Sequence, residues 1–197
     1  MFEMSGIILA GGENRRLGID KAELLVDGIS ILERTIEILE RIFAQVIVVS
    51  NVARDIEAED AKQVKDIAQG KGALGGIYTG LKHAVYERSF VVACDMPYIV
   101  PRLVELVASR QQCDVVVPYV QNQYEPLFAV YSKNCLPIIE KLIQSDKLKI
   151  SDLYERCKVD RVGEEALRKA DGSLESFFNI NTPKDLMKLR RCGKKVV

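Results

Sequence analysis

Short runs of β-branched and aliphatic residues alternate along the chain with longer stretches whose apolar positions recur every three or four residues. This is the pattern of a mostly parallel sheet with helices on both faces. Strands are predicted over Gly6 to Ala10, Gln45 to Ser50, Phe90 to Cys94, Asp114 to Pro118 and Pro126 to Tyr131, with a shorter one at Val64-Lys65. Ser30-Ile31-Leu32-Glu33 reads as a capping box, in which hydroxyl and carboxylate each satisfy an orphan amide, so a helix should begin at Ile31. Ile31, Ile36, Leu39 and Phe43 then fall close to a single helical face. Pro101 opens another helix, where its missing N–H is harmless, carrying Leu103, Val104, Leu106 and Val107. Thr182-Pro183-Lys184-Asp185 joins an N-cap, a proline at the first helical position and an acid in the first turn, so a last helix should run to about Arg191.

With 197 residues, 48% of them hydrophobic, the chain suits one α/β unit with one sizeable core, and no repeat or linker divides 1–197. Lys and Arg together number 28, as do Asp and Glu, so no net field favours nucleic acid or an anionic membrane as partner. The apolar runs are strand-sized, and Met1-Phe2-Glu3-Met4 has no basic segment of the kind that starts a signal peptide. Five dispersed cysteines without a CxxC pair read as reduced thiols of a cytoplasmic protein.

Candidate chemistry concentrates where the first strand ends. Leu9-Ala10 runs into Gly11-Gly12-Glu13-Asn14-Arg15-Arg16-Leu17-Gly18-Ile19-Asp20-Lys21, a Gly-rich turn that lets backbone amides approach an anion and adds the charges of Arg15, Arg16 and Lys21. The loop fits neither GxGxxG nor a Walker A loop, because Ile19 and Asp20 separate Gly18 from Lys21. A second signal is Val91-Val92-Ala93-Cys94-Asp95-Met96-Pro97, which places Asp95 at the carboxyl end of a strand, where open α/β sheets bind ligands. There Asp95 suits a hard cation such as Mg²⁺, with a simple turn cap as the alternative. Gly70 to Leu81 holds too many glycines for a self-sufficient helix start and is expected to be a flexible loop that enters a helix. His83, without a second histidine nearby, reads as structural.

The segment LAGGENRRLGIDKA resembles the signature LAGGxSxRMGxDK of the molybdenum cofactor guanylyltransferases, the MobA-like nucleotidyltransferases, with Leu17 in place of Met and Asn14 in place of Ser. Further resemblances are Cys94-Asp95-Met96-Pro97, the Gly72 to Gly76 stretch (GPLGG in the family, Ala73 replacing Pro), EPLFA from Glu125 and NINTP from Asn179. The resemblance implies a single Rossmann-like nucleotidyltransferase domain whose mainly parallel sheet includes one antiparallel strand. It implies that the backbone at Leu9, Ala10 and Gly11 holds the nucleotide, that Lys21 touches its phosphates and that Asp95 binds both Mg²⁺ and nucleotide. Asp66 matches a nucleotide-contacting acid, although a strand-end turn former is an equal alternative. For EPLFA and NINTP, structural and pterin-side roles both stay open. Asn51 sits near a nucleotide-contacting family asparagine in an unsettled register and is left outside the site.

The implied reaction transfers GMP from GTP to the phosphate of molybdopterin, releasing pyrophosphate. Lys21, Arg16 and Asp95 are its expected catalytic groups, and transient contact with cofactor-biosynthesis proteins or molybdoenzymes is expected. Rival readings are a cytidylyl or sugar-phosphate nucleotidyltransferase on the same scaffold and a noncatalytic nucleotide-binding module serving molybdoenzymes.

Overall fold

The computed structural model describes residues 1–11, 20–54, 56, 61–110 and 112–191, with side chains to residue 188. One sheet contains β1 (Phe2–Leu9), β4 (Phe43–Val49), β5 (Ala61–Val64), β6 (Arg88–Ala93), β7 (Val115–Val120), β8 (Gln123–Tyr124), β9 (Phe128–Ser132) and β10 (Val159–Gly163), in the order β10-β7-β9-β6-β1-β4-β5 with β8 against β7. A separate hairpin is formed by β2 (Leu25–Val26) and β3 (Ile29–Ser30). β1 lies parallel to both β4 and β6, and the β4–β5 and β7–β10 pairs are also parallel. β9 is the expected antiparallel strand, inserted between β6 and β7.

All five longer predicted strands are present, with moved ends. β1 begins at Phe2, β4 begins at Phe43, β7 continues past Pro118 to Val120, and β9 begins only at Phe128. Phe43 is therefore the first residue of β4 rather than part of a helix, because α1 (Ile31–Ile42) passes into that strand without a loop. The pattern left several elements unmarked: the short strand β8, the helices over Leu136–Gln144, Ser151–Tyr154 and Glu164–Ala170, the β2–β3 hairpin and β10. The β2–β3 hairpin turns at Asp27-Gly28, both at positive φ (56° and 86°), the backbone a two-residue type I′ turn requires. In β10 only Val159 and Val162 are apolar among polar neighbours, too little to signal an edge strand.

Both predicted caps form. The Glu33 N–H donates to Ser30 Oγ at 3.1 Å while the Ser30 N–H donates to Glu33 Oε2 at 2.9 Å, closing the capping box of α1. At α7 (Pro183–Arg191) the Asp185 N–H donates to Thr182 Oγ1 (3.3 Å) and the Thr182 N–H to Asp185 Oδ2 (2.9 Å). Alternation along the strands splits the core in two. Ile8, Val48, Val92 and Val130 pack on the face covered by α1, α3 (Pro101–Ala108) and α6 (Glu164–Ala170). Ile7, Leu9, Ile47, Val91 and Ala129 pack on the opposite face, under α2 (Gly72–His83), α4 (Leu136–Gln144) and α5 (Ser151–Tyr154).

The Gly-rich segment corrects an expectation: from Gly72 onward it is helix α2, not a loop. Its glycines let the helix sit close to β1. A Cβ on Gly80 would lie 2.5 Å from Ile7 Cγ2, and one on Gly76 would lie 3.1 Å from Leu9 Cδ2. Burial of Leu74, Ile77 and Leu81 against the sheet outweighs a glycine penalty of about 1 kcal/mol per residue. Gly80→Val should therefore overpack this seam, destabilising the fold by about 1–3 kcal/mol. Thermal denaturation checks this, with a fall of roughly 2–4 °C expected per kcal/mol for a domain of this size. An unchanged melting temperature would contradict the close packing of α2 on β1.

Cys94, Cys113, Cys135 and Cys157 are free thiols, while Cys192 lies outside the described residues. No helix among the described residues is long and apolar enough to cross a membrane. His83 is the exposed last residue of α2.

Candidate active site

β1 and β6 end side by side, Leu9 paired with Ala93, and the Cys94 N–H donates to the Leu9 carbonyl at 3.2 Å. The chain leaving β6 turns at once, so Asp95 projects beyond the carboxyl edge next to the start of the Gly-rich loop. Residues 12–19 of that loop, including Arg15 and the expected catalytic Arg16, lie outside the described residues. Asp20 caps a short 3-10 turn, Lys21–Glu23, by accepting from the Ala22 N–H at 3.1 Å.

This turn delivers Lys21 to Asp95. Lys21 Nζ lies 3.1 Å from Asp95 Oδ2 and donates to Asn181 Oδ1 at 2.9 Å, with the Lys21 and Asp95 side chains only 18% and 20% exposed. Asn181 belongs to the NINTP segment, which is held against the site by the Ile180 N–H donating to the Asp95 carbonyl at 3.0 Å. The other carboxylate oxygen, Asp95 Oδ1, is buried without a hydrogen-bond partner. Among the described residues no backbone N–H bonds to the Asp95 carboxylate, so the turn-cap alternative finds no support. A desolvated anionic oxygen without a donor is costly, and a hard cation is the partner its chemistry suits. Among the described residues no cluster of three or more His, Cys, Asp or Glu forms a cage. One carboxylate supplemented by phosphate oxygens and water is the arrangement open to Mg²⁺ here.

Asp66 stands apart from this pair. Its Oδ1 accepts from Thr79 Oγ1 at 2.6 Å and from the Ala68 N–H at 2.9 Å, and its own N–H donates to Asn51 Oδ1 at 3.2 Å. Asp66 thus joins the end of β5 to α2, and Asn51 supports it from the loop after β4. Leu9 and Ala10 also already serve the scaffold: the Ala10 N–H donates to the Val49 carbonyl at 3.0 Å, and the Leu9 carbonyl accepts from Cys94. Gly11 is exposed, and a Cβ there would meet nothing nearer than the Val49 carbonyl oxygen at 3.8 Å.

One residue the sequence did not mark is Arg54. Its side chain is 4% exposed and reaches both flanks of the Gly-rich loop: Nη2 donates to the Ala10 carbonyl (3.1 Å) and to Asp20 Oδ2 (2.7 Å). Nε donates to Ser50 Oγ at 3.3 Å, and Nη1 lies 3.3 Å from Glu23 Oε1. The planar guanidinium thus fixes where the loop leaves β1 and where it returns. No local motif announces it; only the fold brings residue 54 between residues 10 and 20. Cys94 offers no nucleophile, since burial and then the adjacent Asp95 carboxylate push its thiol up to about 12.

Residues 6–162 match the MobA-like NTP transferase domain family. A probable molybdenum cofactor guanylyltransferase of Pelotomaculum thermopropionicum is 39% identical, over 96% of this chain and 93% of that protein. Another from Natranaerobius thermophilus is 38% identical over 95% of each. Among solved structures, molybdopterin-guanine dinucleotide biosynthesis protein A of Archaeoglobus fulgidus superimposes with a TM-score of 0.82 at 31% identity, covering 96% of this chain and 99% of that one.

Proposed function

The chain belongs to the MobA-like NTP transferase family and is a nucleotidyltransferase, and from that premise we propose that it transfers GMP from GTP to the terminal phosphate of molybdopterin. The observation that carries the site assignment is the meeting of Lys21 and Asp95, 74 residues apart in sequence, at the carboxyl edge of the sheet. A phosphate oxygen of the acceptor forms the new bond to the α-phosphorus of GTP, and the bond from that phosphorus to the bridging oxygen breaks to release pyrophosphate. The acceptor phosphate is already anionic near neutral pH, so the step needs no general base.

The work left to the protein is positioning and charge neutralisation. Lys21 places a point charge among the phosphates, and Arg16 is assigned a second from within the loop. Asp95 holds Mg²⁺, which when bound neutralises phosphate oxygens as a Lewis acid. Asn181 and Asp95 together aim the Lys21 ammonium. Arg54 is assigned a positioning part: its guanidinium bonds to the scaffold at Ala10, Ser50, Asp20 and Glu23 and so ties Ala10 to Asp20. The reaction is assigned to the cytoplasm, where unpaired thiols stay reduced.

Arg54→Met should leave Asp20 and the Ala10 carbonyl without their charged donor. We expect a loss of about 1.5–3 kcal/mol in stability, the range for hydrogen bonds to charged groups. Well below the melting temperature, the KM for GTP should rise while that for molybdopterin stays unchanged. Steady-state kinetics and thermal melts on one preparation check this; lowered stability with normal KM for GTP would reduce Arg54 to a scaffold residue.

Nucleotide choice tests the proposed function against its rival on the same scaffold. With molybdopterin as acceptor, pyrophosphate release should be faster with GTP than with CTP or ATP. Equal turnover of CTP would overturn the guanylyl assignment.

A further inference from the structure

Glu125 opens the turn between β8 and β9, and its backbone is pinned on both sides. Its N–H donates to the Pro118 carbonyl on β7 at 3.0 Å, and its carbonyl accepts from the Phe128 N–H at 3.1 Å. Pro126, the next residue, is held through its carbonyl by Tyr131 OH at 2.8 Å, itself 3.0 Å from Tyr154 OH. Two residues on, the Leu127 carbonyl accepts from the Ala93 N–H at 3.1 Å, at the end of β6 from which Asp95 projects. The Glu125 turn therefore sits at the carboxyl edge of the sheet, one strand away from the Lys21–Asp95 pair.

The half-buried Glu125 side chain makes no hydrogen bond or ion pair among the described residues, and burial alone pushes its carboxyl up to about 7. Arg161 does not neutralise it; that guanidinium lies over the Tyr124 ring at 5.1 Å and the Tyr119 ring at 5.6 Å. A half-buried carboxylate with no partner among the described residues, held in a rigid turn at the carboxyl edge one strand from the reaction site, marks a place for a donor on a ligand.

We propose that Glu125 is a recognition carboxylate for a 2-amino-4-oxopyrimidine edge, its two oxygens accepting from the ring N–H and the adjacent amino group. The two donors lie side by side on that edge, at a spacing that a carboxylate's paired oxygens match. The inference rests on the function proposed above, because both reactants of that transfer carry this edge: the guanine of GTP and the pterin of the acceptor.

Glu125→Gln is nearly isosteric but presents an amide donor where the ligand also donates. It should raise the KM of the recognised reactant about tenfold to a hundredfold, the effect of losing charge-assisted hydrogen bonds. Kinetics with GTP, ITP and molybdopterin separate the two sources, since the base of ITP lacks the amino group. If guanine is the partner, wild-type protein should prefer GTP to ITP and the variant should lose that preference. If the pterin is the partner, the GTP-to-ITP ratio should stand while the KM for molybdopterin rises and binding of free pterin, followed by its own fluorescence, weakens. Thermal melts give a readout independent of activity: removing an unpaired, half-buried carboxylate should leave the melting temperature unchanged or higher, whereas a scaffold role would lower it. Unchanged GTP-to-ITP preference together with unchanged KM for molybdopterin and unchanged pterin binding would overturn the proposal. Absence of GMP transfer by the wild-type protein would instead overturn the parent reading, and the direct pterin and nucleotide binding measurements would still decide the role of Glu125.

Discussion

Asp95→Asn is expected to lower turnover by about 10² to 10³, the scale for deleting one preorganised electrostatic group. Asparagine keeps the size of the side chain and one acceptor oxygen but removes its charge. In the native site one carboxylate oxygen faces Lys21 at 3.1 Å and the other is buried without a donor. The folded chain gains little from that second oxygen by itself, so losing its charge should affect stability only through the partly buried ion pair with Lys21. That pair contributes about 1 kcal/mol at most. The melting temperature should therefore scarcely move while turnover collapses, and more Mg²⁺ should be needed to reach whatever rate remains. Turnover and melting temperature measured on the same variant check both halves. Near-normal turnover across a range of Mg²⁺ concentrations would remove Asp95 from its assigned role as metal ligand.

Lys21→Ala should have an effect of similar size, about 10² to 10³, for a different reason. The ammonium is held by Asp95 and by Asn181 Oδ1 at 2.9 Å, so it is aimed before any ligand arrives and needs little reorganisation. Its charge matters most as negative charge shifts onto departing pyrophosphate, so kcat should fall more than KM for GTP rises. Because Lys21 and Asp95 touch, the Lys21→Ala/Asp95→Asn double variant should lose less than the product of the two single effects. An unchanged rate in purified Lys21→Ala would take Lys21 out of the site.

Most of the scaffold was legible because its signals are local. Ser30 with Glu33 and Thr182 with Asp185 each encode a helix start within four residues, and both form as read. The buried strands announced themselves as apolar runs. Two helices, α4 and α6, carry local signals that went unread, Pro137 in the first turn of one and acids before bases in the other; the remaining misses depend on contacts distant in sequence. The glycines of α2 looked like a loop because their benefit, close approach to Ile7 and Leu9, lies on another element. The polar edge strand β10 is held by pairing with β7 rather than by its own pattern. At the site, Lys21 and Asp95 were identifiable from strand ends and loop chemistry, and the fold brings them together. Arg54 was invisible until its guanidinium could be placed between Ala10 and Asp20. The sequence allows Asp66 either a turn-forming or a nucleotide-contacting role, and its bonds to Thr79 and Ala68 give it a structural part whatever it contributes to a nucleotide.

Following labelled GTP tests the central claim most directly. Purified protein would be incubated with Mg²⁺, molybdopterin and GTP labelled at either the α- or the γ-phosphate. The account predicts that α-label enters a pterin-containing guanine dinucleotide while γ-label leaves as pyrophosphate, in equal amounts and only when molybdopterin is present. Pyrophosphate release indifferent to molybdopterin, or α-label recovered only as GTP or free GMP, would contradict it.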